Sequence, residues 1–191
     1  MFSDADSGSL KLDQGVHIGD CLRLPDQRFD LNLVDERSRF CLRVRETHVS
    51  AFAKASGLAL PTQVGTTRQD ENALIMCLSP DEWLIIAASE SKDLIKRKTD
   101  QFKSAPFSLV DVSHRNVAFT LRGEGAAAMV NVGCPLDLDL KAFPVGKCTR
   151  TIFERAEIIL YRPAETEFHI EVWRSFAPYV LSVLSNGAQA Q

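Results

Sequence analysis

The chain has 191 residues, 45% of them hydrophobic, enough for one sizeable core but too few for two independent domains of ordinary size. Its formal net charge of -3 describes a mildly acidic surface and excludes the strongly basic one that nucleic acid or an anionic membrane selects. Five cysteines, Cys21, Cys41, Cys77, Cys134 and Cys148, are odd in number and contain no Cys-x-x-Cys pair, so reduced, mostly buried thiols are predicted rather than a zinc or redox pair.

The opening Met1-Phe2-Ser3-Asp4-Ala5-Asp6 has neither a basic start nor an apolar core of the secretory type, and no apolar run approaches the ~20 residues that span a bilayer. A cytoplasmic protein with no membrane partner is expected. Residues 1 to 38 are mixed and polar, with a turn signal at Pro25-Asp26, and read as an extended N-terminal arm that needs another surface to lie against. Residues 39–191 then form a single α+β domain.

From Phe40 the pattern sharpens. Phe40, Leu42 and Val44 alternate with Cys41, Arg43 and Arg45, as in a strand with one buried face. Thr47 is placed to cap a short helix carrying Val49, Phe52 and Ala53, which Gly57 closes. The apolar runs Ala73 to Leu78 and Trp83 to Ala88 flank Ser79-Pro80-Asp81-Glu82, a type I turn signal, and form a hairpin. Ser91 opens a second helix to about Phe102, and Phe107 to Val112 is a further strand. Its basic cluster Lys92, Lys96, Arg97 and Lys98 is interleaved with Asp93 and Asp100 and reads as a solvated helix face. The order β-α-β-β-α-β is the ferredoxin-like unit.

The order then repeats. Val117, Phe119 and Leu121 form a strand, Gly123-Glu124-Gly125 leads into a small-residue helix from Ala126 to Val132, and Ala156 to Tyr161 pairs with Thr166 to Trp173 around Arg162-Pro163-Ala164-Glu165. In the last strand Phe168, Ile170 and Val172 face opposite to Glu167, His169 and Glu171. A final helix from Ser175 puts Phe176, Tyr179, Val180, Val183 and Leu184 on one stripe and ends at Asn186-Gly187. The sequence predicts two pseudo-duplicated ferredoxin-like halves, about 39–113 and 114–187. The second lacks a closing strand, which a segment from elsewhere would have to supply, the N-terminal arm being one candidate.

Asp111, Ser113 and His114 invite a hydrolase triad, but neighbouring strand residues point to opposite faces, and no Gly-x-Ser-x-Gly elbow accompanies them. The competing expectation is a strand-to-strand link in which Asp111 and Ser113 bond backbone groups while His114 or Arg115 reaches a partner. His17, His48, His114 and His169 lie in separate elements without ligand spacing, so no metal site is predicted. Gly123-Glu124-Gly125 lacks the full dinucleotide fingerprint and favours close helix packing. Leu136-Asp137-Leu138-Asp139-Leu140 alternates like an edge strand kept soluble by charge. Trp83 and Trp173 each sit on a strand beside a hairpin turn, with core and interface both open to them.

Several segments together carry a family resemblance: Ser79-Pro80-Asp81-Glu82-Trp83-Leu84, Leu109 to Val117 around Asp111-Val112-Ser113-His114-Arg115, and Cys134-Pro135-Leu136-Asp137-Leu138. Phe143-Pro144-Val145-Gly146-Lys147-Cys148-Thr149-Arg150-Thr151 and Arg174-Ser175-Phe176-Ala177 complete the set. The combination, over roughly Leu74 to Leu184, resembles the gamma subunit of heterotetrameric sarcosine oxidase. The resemblance implies a complex with alpha, beta and delta subunits that oxidises sarcosine to glycine, forms 5,10-methylenetetrahydrofolate and reduces oxygen to hydrogen peroxide. FAD, FMN, NAD, tetrahydrofolate and zinc are then expected on the other subunits, with no cofactor in this chain.

The same resemblance implies a shortened relative of the folate-binding domain of glycine cleavage aminomethyltransferase. Phe119-Thr120-Leu121-Arg122-Gly123-Glu124-Gly125-Ala126 is similar to its Leu-x-Gly-Pro-x-Ala element. Its Tyr-Thr-Gly-Glu-x-Gly-Phe-Glu turn, however, is here Tyr161-Arg162-Pro163-Ala164-Glu165-Thr166-Glu167-Phe168, without either glycine. A structural role is therefore carried over, with Asp111, Ser113, His114, Arg115, Trp83 and Arg174 as structural or interface candidates and no catalytic residue. The alternative is an autonomous small folate-binding or aminomethyltransferase-like enzyme.

Overall fold

The structure, a computed structural model, describes residues 29–189. Cys21, His17 and most of the expected arm lie outside the described residues. The strands are β1 (Asp30–Leu33), β2 (Arg37–Val44), β3 (Thr67–Gln69), β4 (Ala73–Ser79), β5 (Glu82–Ala88), β6 (Phe107–Asp111), β7 (Asn116–Arg122), β8 (Cys148–Phe153), β9 (Ala156–Ala164) and β10 (Glu167–Trp173). The helices are α1 (Val49–Ser56), α2 (Lys92–Thr99), α3 (Ala126–Asn131) and α4 (Ala177–Gln189). Single 3-10 turns, Glu46–His48, Ser89–Ser91 and Arg174–Phe176, precede α1, α2 and α4.

Two five-stranded antiparallel sheets result, ordered β3-β4-β5-β2-β6 and β1-β7-β10-β9-β8. Each contains the ferredoxin-like order, and each adds one strand, β3 or β8, just after the first helix of its half. In the first sheet the closing strand is β6, which follows α2 directly. In the second it is β1, which comes from the other end of the chain and pairs antiparallel with β7, Leu31 opposite Leu121. Residues 30–33, within the expected arm, thus lie against β7 as the closing edge strand of the second half, and β2 begins at Arg37, before residue 39. Burying a leucine is worth about 1.5–3 kcal/mol, and Leu31, 5% exposed in the second core, anchors this four-residue strand.

Alternation along the strands builds three apolar layers. Phe40, Leu42, Val44, Ile75, Trp83 and Ile85 pack with Phe52 of α1 and Ile95 of α2. Phe119, Leu121, Ile158, Leu160, Phe168 and Ile170 pack with Met129 of α3 and Val180 and Leu184 of α4. The opposite strand faces meet each other through Met76, Leu84, Ile86, Val112, Cys148 and Ile159. The molecule is therefore helix, sheet, sheet, helix, and the polar residues of β2, β5, β8 and β10 that face away from the helices point at the other half.

Five expectations are corrected. Thr47 lies inside a 3-10 turn and gives α1 no side-chain cap. α2 stops at Thr99, and Ser91 precedes it without a capping hydrogen bond. Leu136 to Leu140 is no strand: Asp137 Oδ1 accepts from the Asp139 N–H at 2.9 Å and Asp139 Oδ1 from the Lys141 N–H at 2.9 Å, so each aspartate stabilises a local turn. The second hairpin turns at Glu165-Thr166, two residues later than predicted, because β9 runs on through Pro163 where the β9–β10 register is irregular and tolerates a missing N–H. α4 continues past Asn186-Gly187, since Gly187 packs against α3: a Cβ there would come within 2.9 Å of Val132.

Candidate functional site

The segment from Asp111 to Arg115 joins β6 to β7 and hence one half to the other. Asp111 Oδ1 accepts from the Ser113 N–H at 3.0 Å and from the Ser113 hydroxyl at 2.6 Å, while Lys92 Nζ of α2 sits 2.6 Å from Oδ2. Ser113 Oγ in turn accepts the Arg39 N–H of β2 at 2.9 Å, and the Val112 N–H donates to the Arg39 carbonyl at 2.8 Å. Partial burial is the largest single influence on Asp111 and raises its pKa. The bonds from Lys92 and Ser113 together outweigh it and hold the carboxyl well below the usual carboxylate range. The Ser113 hydroxyl is committed to a carboxylate and a backbone amide, and His114 is exposed on the turn, so the three do not assemble as a nucleophile and base.

Beyond this turn the structure brings together three other predicted residues and one with an open reading. The Arg115 guanidinium lies 5.7 Å from the centroid of Trp173, its Nε donates to Asn116 Oδ1 at 3.1 Å, and its carbonyl accepts the Arg174 N–H at 2.7 Å. Arg174 Nε reaches the His114 carbonyl at 3.4 Å. Trp173 is exposed, so of the two tryptophans this one is superficial. Trp83 is not part of the group. It is 1% exposed in the first core and its Nε1 donates to the Pro61 carbonyl at 2.8 Å, so of the two positions open to it, core and interface, it occupies the core.

Sequence reading overlooked the charged contacts between the sheets. Glu171 of β10, 1% exposed, receives Arg39 Nε of β2 at 2.7 Å and lies 3.0 Å from His169 Nε2. Its burial alone would raise its pKa; His169 and Arg39 more than reverse that, and the carboxyl sits below its ordinary value. Glu82 of β5 receives Arg43 of its own sheet and Arg150 of β8 from the other, both at 2.6 Å. The signal was present as the alternating polar face Glu167, His169, Glu171. With no second sheet in view, that face reads as solvent-facing.

Among the described residues the cysteines contribute no activated thiol. Burial pushes the Cys77 and Cys134 thiols up, burial and then the Glu82 carboxylate raise Cys41, and burial with the neighbouring Cys77 takes Cys148 to about 12. Among the described residues no three His, Cys, Asp or Glu side chains are grouped to hold a metal ion, and no helix is long and apolar enough to cross a membrane. At the β9–β10 hairpin, Arg162 is 4% exposed. It donates to the carbonyls of Leu138 and Phe143 at 2.8 Å each and of Glu165, with Phe168 stacked 4.9 Å away. The β9–β10 hairpin is thus filled and fastened by the Arg162 side chain.

The model of the sarcosine oxidase, gamma subunit family matches residues 44–190. The chain is 29% identical over 133 residues to sarcosine oxidase subunit gamma of Corynebacterium sp. (strain U-96), a match covering 69% of this chain and 64% of that one. It is 30% identical over 122 residues to the subunit from Arthrobacter sp., covering 63% and 60%. The matched region thus spans less than two thirds of either relative's own length. A chain of the heterotetrameric sarcosine oxidase from Corynebacterium sp. U-96, in complex with pyrrole 2-carboxylate, superposes with TM-score 0.77 at 25% identity, covering 85% of this chain and 84% of that one. Glycine cleavage system aminomethyltransferase T from Bartonella henselae superposes with TM-score 0.64 at 12% identity, covering 82% of this chain and 45% of the larger one, and shares the fold.

Proposed function

The chain belongs to the sarcosine oxidase gamma subunit family, and we propose that it is the non-catalytic gamma subunit of a cytoplasmic heterotetrameric sarcosine oxidase. In this reading it assembles with alpha, beta and delta subunits and stabilises the flavin-bearing ones. The complex converts sarcosine to glycine, methylenetetrahydrofolate and hydrogen peroxide, with FAD, FMN, NAD, tetrahydrofolate and zinc held by the other subunits.

The observation that carries the proposal is the superposition, over 85% of this chain, on a chain of a heterotetrameric sarcosine oxidase. The chemistry of the described residues supports the non-catalytic part. Asp111 and Ser113 are spent on the joint between halves, Glu82 and Glu171 on ion pairs between sheets, and the described thiols are raised towards the unreactive form. Arg162 closes the hairpin at which the aminomethyltransferase relatives keep glycines.

Two measurements on the purified chain test this. Alone it should show no flavin absorbance and no sarcosine-dependent hydrogen peroxide; either signal would overturn the non-catalytic assignment. Titration with tetrahydrofolate should show no saturable binding, whereas micromolar affinity would favour an autonomous folate enzyme.

A further inference from the structure

We propose that the surface made by Trp173, Phe176 and Tyr179 with Arg115, Arg174 and His114 is where this chain docks on a partner subunit, and that it receives a segment carrying carboxylates among apolar side chains. The inference rests on the subunit role proposed above and assigns it a face.

Three observations carry it. First, Trp173, Phe176 and Tyr179 are the large exposed aromatics among the described residues, 42, 38 and 37% exposed, and they follow one another at intervals of three across the junction from β10 to α4. The other large exposed apolar residues, Val64, Val110, Leu140, Val145 and Ile152, are aliphatic and scattered over separate segments. Aromatic residues beside arginine make up the energetic centres of protein interfaces, whereas exposed valine and leucine do not.

Second, the duplication supplies an internal control. The first half has the same strand, 3-10 turn and helix at its own junction from β5 to α2, but Ala88, Ser91 and Leu94 stand there where Trp173, Phe176 and Tyr179 stand in the second. That junction is closed by the chain itself: Ser89 Oγ donates to the Glu36 carbonyl at 2.9 Å and Lys92 is paired with Asp111. The fold therefore does not require aromatics at this position. The half that carries them leaves them open to solvent.

Third, the charge is unanswered. Among the described residues neither Arg115 nor Arg174 has a carboxylate at ion-pair distance; each donates to a neutral oxygen. Stacking on Trp173 fixes Arg115 with donors to spare. An acidic partner segment meets this arrangement. A second copy docked about a two-fold axis would instead set the same guanidiniums against each other.

The test uses the full chain co-expressed with the other subunits of the complex. Incorporation of the Phe176→Asp/Tyr179→Asp variant should fall by about tenfold or more. Arg115→Glu/Arg174→Glu should also fall, and Leu140→Asp and Val64→Asp should incorporate as wild type. Wild-type affinity should weaken with rising salt. Amides of residues 173–180 should exchange more slowly in the wild-type complex than in the isolated chain, a readout independent of whether any variant folds. Normal incorporation of a folded Phe176→Asp/Tyr179→Asp variant, or no added protection at 173–180, would overturn the proposal. So would a dimer of the isolated chain that this variant abolishes, which would identify a second copy as the occupant. If the wild-type chain fails to assemble at all, the subunit role itself fails and this inference falls with it.

Discussion

Glu171 lies on a strand face that alternates with the second core, yet a whole sheet covers it. Its carboxylate is 1% exposed and is held by Arg39 from the other half. Removing one member of such a pair strands a buried charge, so Glu171→Ala should lower unfolding free energy by about 3–5 kcal/mol. The paired apolar replacement Arg39→Met/Glu171→Leu should recover most of that loss, because it removes both desolvation penalties together. Urea unfolding of the three proteins checks both statements. Full recovery would show that the ion pair adds no net stability over an apolar contact.

Asp111 gives a pH dependence whose sign is determined by its environment. Its folded pKa lies below the unfolded value of about 3.9, so its contribution is complete above that value and fades as pH falls towards the folded pKa. Unfolding free energy of the wild type should therefore decline as pH drops below about 4, and Asp111→Asn should flatten that part of the curve. At neutral pH the same substitution should lower the denaturation midpoint, because the bonds from Lys92 and Ser113 then meet a neutral amide instead of a carboxylate.

At the scale of elements, Gly133 shows how closely α3 and the strand beyond it are fitted. A Cβ at Gly133 would come within 2.7 Å of the Phe153 ring, which is wholly buried in the second core. Gly133→Ala should destabilise by about 1–3 kcal/mol through overpacking, read as a lower denaturation midpoint. Leu31→Asp should loosen β1 and raise amide exchange along β7, since that strand's outer edge is protected by β1 alone.

The same elements show what sequence alone makes legible. β2, β4, β5 and β10 bury one helix-facing side, and their alternation announces them. β8 is hard to recognise although Thr149, Thr151 and Ile152 favour strands, because polar Thr149 and Arg150 interrupt any apolar run. Leu136 to Leu140 alternates for another reason: its aspartates close turns while Leu138 enters the second core. The joint at Asp111 to Arg115 could be found from its position between repeats. Its partners Lys92 and Arg39 could not, being distant in sequence, and neither could the pairing of Glu171 with Arg39, which exists only once two sheets face each other.

At the scale of the molecule, the two halves interlock. β1 leaves the first residues described to complete the second sheet, Arg39 and Arg150 cross between sheets, and the joint ties β6 to β7 through the Arg39 backbone. These crossings fasten the two halves to each other, while the aromatic and arginine side chains of the docking surface proposed above stay exposed at the junction from β10 to α4. The measurement that bears most directly on the proposed subunit role is affinity purification of the complex through a tag on this chain from cells producing all four subunits. If the chain is such a subunit, flavin absorbance and sarcosine-dependent hydrogen peroxide production elute with it as one species. Elution of the chain free of flavin, with sarcosine oxidation left in the flow-through, would contradict that role.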